Sequence, residues 1–399
     1  MIMPFGRVWK VSFVAVLLLV GSGVAAVADV APREEAARDY LDYGFQFASA
    51  LSVDPKDMTR AQESVVRELI EVGELERAAG MAERIEGWRR GVALADLAAE
   101  YAKQGDLTRA RRLVDAADRF QRGMTGWYGP RIRAHIAEAL AMIGEQDRAT
   151  RISGDLASSD RSQYLGRSAA AAAVAMAVNG DFEGALGRLD SQESKTYEDA
   201  WYRTGGYIEI SRQKPLSRQQ RVEALDAAWQ SALVVPGWRA IEAFSVIGDE
   251  YARIGEKDKA REALADVEEK LGRMAADHVA KAPLLAKTGI SFARIGDRDH
   301  ARELIERAEA VARGERISVI ERPKFMAMAA MAYLINEDDE QATRLFNEAL
   351  DQAASLVNAR PRALAVVEIC RAMSRHGYPV NDITRHKLDT LYTGLKSPW

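Results

Sequence analysis

The sequence predicts an all-α protein in which helical hairpins stack into a solenoid, and two periodic patterns support this prediction. In the first pattern, a glycine is followed directly by Asp or Glu and, five positions after the glycine, by alanine. This pattern occurs six times, at Gly73, Gly105, Gly144, Gly180, Gly255 and Gly296. In the second pattern, aromatic residues recur 37 to 39 positions apart, at Trp88, Trp127, Tyr164, Trp201 and Trp238. A repeated hairpin cannot bury its apolar face without neighbours, so the repetition indicates one continuous stack.

The first residues have the pattern of a secretory signal peptide. Two basic residues precede an apolar run over 11–20, and small residues in the A-x-A pattern follow at 26–28. We therefore expect residues 1–28 to be removed before Asp29, and residues 29–399 to form the solenoid in an exported, most simply periplasmic, protein. The alternative is an uncleaved N-terminal membrane anchor, although the run is short for a span and is diluted by small residues.

The composition of the remaining chain suits a packed apolar core in a protein without an integral membrane span. Without residues 1–28 the chain carries 53 basic and 59 acidic residues, a net charge of −6. This balance favours neither a nucleic-acid partner nor an anionic membrane. Cys370 is the only cysteine, so no intramolecular disulfide can form, and we expect it to be a small packing residue.

Each recurrent glycine is predicted to end the first helix of a hairpin, and the acid after it to favour the start of the second. The glycine is missing near residue 214, where Ser217 and Gln220 can form a capping box for the next helix. At a later turn, Asn336 is expected to adopt the left-handed conformation that glycine supplies elsewhere. The acids around that turn lack the ligand spacing of a calcium loop.

These signals divide the chain into about eight helical hairpins from Met58 onward. One helix over roughly 33–51 precedes them. The last segment, over about 378–399, lacks the expected alanine and is predicted to cap the stack.

The units resemble the tetratricopeptide repeat (TPR). The best match combines a small residue, an aromatic residue, the turn glycine and two further alanines, at Ala98, Tyr101, Gly105, Ala110 and Ala117. The resemblance implies a right-handed α-α superhelix whose first helices line a concave surface for a protein or peptide. The units run 32 to 41 residues between equivalent alanines, which implies an irregular superhelix.

No sequence motif indicates an enzyme, a cofactor site or a metal site. The five histidines form neither an HExxH motif nor a metal-spaced pair, and the recurrent glycines end helices instead of cradling phosphate. Soluble lytic transglycosylases join an α-helical superhelix to a domain with a catalytic Glu-Ser pair, and Glu63-Ser64 and Glu193-Ser194 occur here. The repeats, however, leave no room for that second domain.

The predicted concave face is small and weakly apolar, with several polar interruptions. Its alanines fit two interpretations, close helix approach in a tightly coiled superhelix or a groove for an apolar or helical peptide. Arginines also accompany the aromatic series, which could form a ladder for carboxylates and backbone, or could pack locally. The candidate partner-binding residues are Arg131, Glu138, Arg167, Arg203, Arg239 and Asp249.

From the sequence we therefore expect an exported, non-catalytic scaffold or adaptor that binds a protein or peptide on its concave face. The alternative is a regulatory or structural subunit of a cell-envelope enzyme complex that acts on peptidoglycan.

Overall fold

The computed structural model describes residues 39–124, 128–154, 158–191, 197–275 and 278–395, without the side chains at 153–165 and 168. The predicted signal peptide, Trp127 and the side chain of Tyr164 lie outside this description. The described ranges contain nineteen helices and no strand. The bounds are α1 (39–49), α2 (Pro55–Glu71), α3 (Leu75–Ala82), α4 (Trp88–Lys103), α5 (Leu107–Arg122), α6 (Tyr128–Ile143), α7 (Gln146–Gly154), α8 (Ser158–Val178), α9 (Phe182–Asp190), α10 (Tyr197–Ser211), α11 (Arg218–Ala232), α12 (Gly237–Arg253), α13 (Lys257–Arg273), α14 (Lys281–Ile295), α15 (Arg298–Arg313), α16 (Arg322–Ile335), α17 (Asp339–Ala354), α18 (Ala359–Arg375) and α19 (Asp382–Gly394).

The helices form an all-α solenoid of two layers, as predicted. Even-numbered helices from α2 to α18, the inner helices, each contact the next even-numbered helix. Odd-numbered helices from α3 to α17, the outer helices, lie over the grooves between successive inner helices. Each inner helix and the outer helix after it form one hairpin, so eight hairpins precede α18.

The recurrent glycines end the inner helices through a left-handed residue. At the first turn Gly73 has φ +84°, and Glu74 N donates to Leu69 O at 2.8 Å, the long bond of a Schellman motif. The following acid caps the outer helix at two of the three aspartates, since Asp106 accepts from Arg109 N and Asp181 from Gly184 N, both at 3.0 Å, whereas Asp297 makes no such bond. These local signals therefore act as predicted.

Two irregular turns give one confirmation and one correction. Ser217 and Gln220 form the predicted capping box at the start of α11. At the turn after α16, however, Asn336 has φ −76° and Glu337 is the left-handed residue, with φ +60°. Asp338 caps α17 by accepting from Gln341 N, which fixes where that helix begins. Glu337 comes directly before this cap and is therefore the residue that takes the left-handed conformation.

Most alanines of the predicted concave face are buried in close helix–helix contacts. Most residues of this face are fully or largely buried, at Ala95, Ala102, Ala134, Ala141, Val174, Ala177, Ala286, Ile290, Ala327 and Met331, whereas Ala99, Ala170 and Ala293 are partly buried. Glycines allow a similar approach within hairpins, because a Cβ added at Gly248 would lie 2.8 Å from Leu264. Tight coiling accounts for most of these residues, while Ala99 and Ala170 line an interior cavity.

The coiling is tight enough that the solenoid closes on itself. Inner helix α18 contacts α2, which completes a ring of nine inner helices over the described residues. Helix α1 covers this seam, since a Cβ at Gly44 would lie 3.4 Å from Val65 in α2 and 3.6 Å from Cys370 in α18. Cys370 is fully buried there, as expected of a packing residue.

Polar bonds and aromatic contacts hold the closure. The buried Glu68 of α2 accepts from Arg371 at 3.2 Å and from Arg375 at 2.7 Å, both on α18. The rings of Phe47 in α1 and Tyr392 in α19 meet edge to face at 5.5 Å. Helix α19, within the predicted capping segment, also packs against α17.

The helices of the described ranges are all too short or too polar to cross a bilayer.

A candidate binding site inside the helical ring

Five consecutive inner helices, α4 to α12, surround a cavity of about 460 Å³. Its position is shown by an ion pair between Lys103 in α4 and Glu209 in α10, whose Nζ and Oε1 atoms lie 2.7 Å apart. Helices α6 and α8 separate α4 from α10 in the ring, so this pair crosses the interior. The volume lies in the range of small-molecule and peptide-anchor pockets.

The walls of the cavity combine an aromatic side with small and apolar residues. Trp201 and Tyr202 in α10 supply the aromatic side, and Met142 and Val174 are among the apolar residues. Gly206 lets α8 and α10 approach closely, because a Cβ there would lie 3.0 Å from Ala170. A ligand here would therefore meet flat apolar surface on one side.

Charged side chains line the cavity in pairs of opposite sign. Besides Lys103 and Glu209, Arg167 in α8 lies 2.5 Å from Glu138 in α6. Arg212 in α10 donates to the buried Glu250 of α12, with the two atoms 2.7 Å apart. These pairs supply donors and acceptors while leaving the lining close to neutral.

The pairing favours the ionised forms of Lys103, Arg167 and Glu209. Burial opposes the charged form of Lys103 and Arg167, but the carboxylates beside them raise the pKa of both groups. Burial likewise opposes the ionised form of Glu209, but Lys103 and Arg212 lower the pKa of that carboxyl. These three groups are therefore charged at neutral pH.

Of the six candidate residues, Glu138 and Arg167 are brought together in this cavity. Asp249 lies further along α12, where it pairs with Arg294 of α14 and accepts from Arg253 at 3.0 Å. Asp249 therefore belongs to a separate cluster of charges.

That cluster lies at the carboxyl ends of the inner helices and includes His376. Burial and the positive charges of Arg294, Arg375 and Arg253 lower the pKa of His376 to about 4, although Asp249 opposes the shift. His376 follows α18, and Arg253 lies on α12, so this cluster also spans the ring interior. The charges of α12 and α14 thus act electrostatically on the residue that follows α18.

The other three candidate arginines lie outside the cavity. The Arg131 guanidinium lies over the Trp88 ring at 5.3 Å, and Arg239 lies over the Trp238 ring at 5.9 Å. Arg203 donates to Ser231 of the neighbouring outer helix at 3.1 Å. These contacts match the interpretation in which the aromatic residues pack between successive hairpins and the arginines pair locally. A partner-binding role for the six residues stays a prediction.

Sequence reasoning missed several cavity residues. Lys103, Glu209 and Arg212 were not singled out, because two of them pair across 106 residues of sequence. Trp201 was recognised only as a marker of the repeat period. The available signal was the i, i+3 spacing of Glu209 and Arg212 on the predicted first helix of a hairpin.

In the part of the chain that is described, no three His, Cys, Asp or Glu side chains converge as metal ligands would. No family model and no curated protein matches the chain. A solved structure described as a "Circular tandem repeat protein with novel repeat topology and enhanced subunit contact surfaces" is similar over 91% of this chain and 96% of that chain, at 14% identity and a TM-score of 0.26. A likeness at this TM-score supports no argument about function, and the fold of this chain rests on its own helices.

Proposed function

We propose that this chain is an exported, TPR-like scaffold that holds a peptide segment of a partner protein in the cavity between α4 and α12. The observation that supports this most directly is the cavity itself, with an aromatic wall and balanced ion pairs supplied by five successive inner helices. Helical repeats are generally suited to protein interaction, and here the interaction surface is the interior of a ring.

The charge balance of the cavity favours a neutral segment. A ligand with one net charge would compete for a side chain that already has a partner, such as Arg167 or Lys103. A peptide backbone offers donors and acceptors without net charge, and an apolar or aromatic side chain can stack on Trp201. We therefore expect the bound segment to be internal, uncharged and apolar.

The same groups argue for binding and against catalysis. General acid–base chemistry needs a pKa near the working pH, whereas the pairs in this cavity move the pKa values of Lys103 and Glu209 away from neutrality. A rigid set of paired charges can instead orient a dipolar ligand.

Photo-crosslinking in cells tests the proposal. A photoreactive amino acid replaces Tyr202 in the cavity or, as control, Asp258 on the outer surface, which is fully exposed. We expect one partner segment attached at position 202 and absent at 258, identified by mass spectrometry. Equal labelling at both positions, or none at 202, would contradict the proposal.

A matched pair of glycines tests whether the cavity must be empty. Gly205 lines the cavity and Gly187 lies on outer helix α9, and a Cβ added at either meets no atom within 4 Å. Gly205→Trp should abolish partner attachment while Gly187→Trp leaves it intact. The N-terminal residue of the purified protein tests export separately, since cleavage predicts Asp29.

A further inference from the structure

The loops that lead from outer to inner helices all lie at one end of the ring. Successive inner helices run parallel, and their carboxyl ends carry the glycine turns. Their amino ends, with the loops that precede them, therefore form the opposite rim. Helix α1 runs antiparallel to α2, so the described chain begins at the glycine-turn end.

Exposed apolar side chains concentrate on this rim. Ten large apolar side chains are exposed in the described ranges, and nine of them lie in these loops or in the first turn of an inner helix. The exception is Ile383, at the glycine-turn end. Single exposed apolar residues are ordinary, but their segregation to one end is not.

Six of these residues define what we call the apolar rim, at Val53, Leu233, Val234, Val279, Val319 and Val357. They come from the loops before α12, α14, α16, α18 and α2. Ring closure makes these loops consecutive, because Arg360 at the start of α18 pairs with Asp54 in the loop before α2. Val357 is the most exposed of the six, at 90%.

The same arc of the ring is basic although the whole chain is acidic. The segments 51–57, 233–239, 273–281, 313–324 and 355–362 contain ten Lys or Arg residues and five Asp or Glu residues, whereas the chain carries a net charge of −4. The overall balance, which disfavours an anionic membrane, thus conceals a local excess of positive charge.

Some of these cations are already paired with carboxylates, as Arg313 is with Glu309 and Arg360 is with Asp57, but others bond to uncharged groups. Lys281 donates to Met274 O at 2.7 Å, and Arg362 donates to Leu356 O at 2.7 Å. Both carbonyls belong to the end of an outer helix or the loop after it, where a cation is favoured by the helix dipole. The formal positive charge of each side chain remains available at the rim.

We propose that the apolar rim docks on the surface of a bilayer with anionic headgroups. The exposed side chains of the apolar rim come from neighbouring repeats and lie side by side, an arrangement that fits a flat surface better than a single peptide. Shallow insertion of the valines, with cations at headgroup level, is the usual mode of peripheral membrane binding. Trp238 at the same rim suits the interface between headgroups and acyl chains.

Vesicle flotation tests the proposal with the full chain. The probes are vesicles of phosphatidylcholine alone and of phosphatidylcholine mixed equally with phosphatidylglycerol. Val319→Ser with Val357→Ser removes two tips, and Ile383→Ser is the matched control at the other end. All three valine and isoleucine side chains are more than half exposed, so folding should be preserved.

We expect the unaltered chain to float with the anionic vesicles, and the double variant to bind them about tenfold more weakly. Ile383→Ser should bind like the unaltered chain, and added salt should weaken binding. Equal binding by the double variant, or no binding by the unaltered chain, would overturn the proposal.

A second copy of the chain is the other possible occupant of the rim. Light scattering without vesicles distinguishes it: a dimer that the double variant converts to a monomer would show that the rim is a subunit interface, and the membrane proposal would be wrong. Failure of either test leaves the peptide site inside the ring unaffected, since that site lies on other side chains.

Discussion

Substitution of Glu68 by glutamine should open the seam at which the ring closes. Glu68 is fully buried and is the common partner of Arg371 and Arg375, which lie more than 300 residues away in sequence. Glutamine keeps the size of the side chain, so the change removes the charge and little of the packing. Both arginines then lose a buried counter-ion at the contact between α2 and α18.

The cost can be bounded from the surroundings of the two arginines. Removal of one partner from a buried ion pair typically costs about 3–5 kcal/mol. Here the arginines keep other partners, since Arg371 lies 3.0 Å from Glu368 and Arg375 lies 3.2 Å from Glu71. The Arg375 side chain is also 39% exposed, which screens its charge. We therefore expect a loss of about 2–3 kcal/mol.

Hydrogen exchange locates the loss, because it reports opening of separate parts of the solenoid. Amides of α1 and α2 should exchange faster in Glu68→Gln, while those of α8 and α10 change little, and urea unfolding gives the total. The control is Asp39→Asn, whose exposed pair with Arg385 at 3.3 Å also bridges the seam and should contribute less than about 1 kcal/mol. A loss below about 1 kcal/mol for Glu68→Gln, or equal deprotection throughout the chain, would refute this account of the closure.

Three further predictions concern packing and titration. Gly248→Ala should lower the melting temperature, since its Cβ would lie 2.8 Å from Leu264 and overpacking costs about 1–3 kcal/mol. Gly187→Ala is the control: it places a Cβ in open space and should raise stability by about 0.5–1 kcal/mol. Shifts of the same sign in the two variants would contradict this reasoning. Burial raises the pKa of the Cys370 thiol, so a thiol reagent should modify it only in denaturant, and Cys370→Ser should cost about 1–3 kcal/mol. The folded-state pKa of His376 is about 4, below its value in the unfolded chain, so the unfolded state binds the proton first as the pH falls. Stability should therefore decrease between about pH 6.5 and pH 4, by at most about 3 kcal/mol. Urea titrations at several pH values should show this loss, and His376→Gln should lack it; an unchanged pH profile in the variant would be inconsistent with the assignment.

The hairpins could be predicted from the sequence because their determinants are local. Gly73 and its equivalents end helices through a backbone conformation that glycine tolerates, and Asp106 caps through a side chain three residues from its donor. The turn at Asn336 was predicted one residue out of register. Asparagine was assumed to replace glycine, whereas Asp338 fixed the cap and left Glu337 in the strained position.

The closure and the cavity could be predicted only in part. Glu138 and Arg167 lie on consecutive inner helices, so the repeat register alone makes them neighbours. Lys103 meets Glu209 only because the repeats between them curve sharply, and curvature accumulates from small rotations at every interface. Because the units differ in length, the rotation between neighbouring units cannot be worked out from the sequence.

The contact between α18 and α2 also fixes how many repeats the protein can have. An open solenoid can gain or lose a hairpin at its end and keep the geometry of the rest, because each unit touches only its neighbours. Here nine inner helices must complete one turn, so an added or missing hairpin would pull apart every contact at the seam. Changes in length should therefore be tolerated in the loops at either rim, and the number of hairpins should behave as a single, all-or-none property of the molecule.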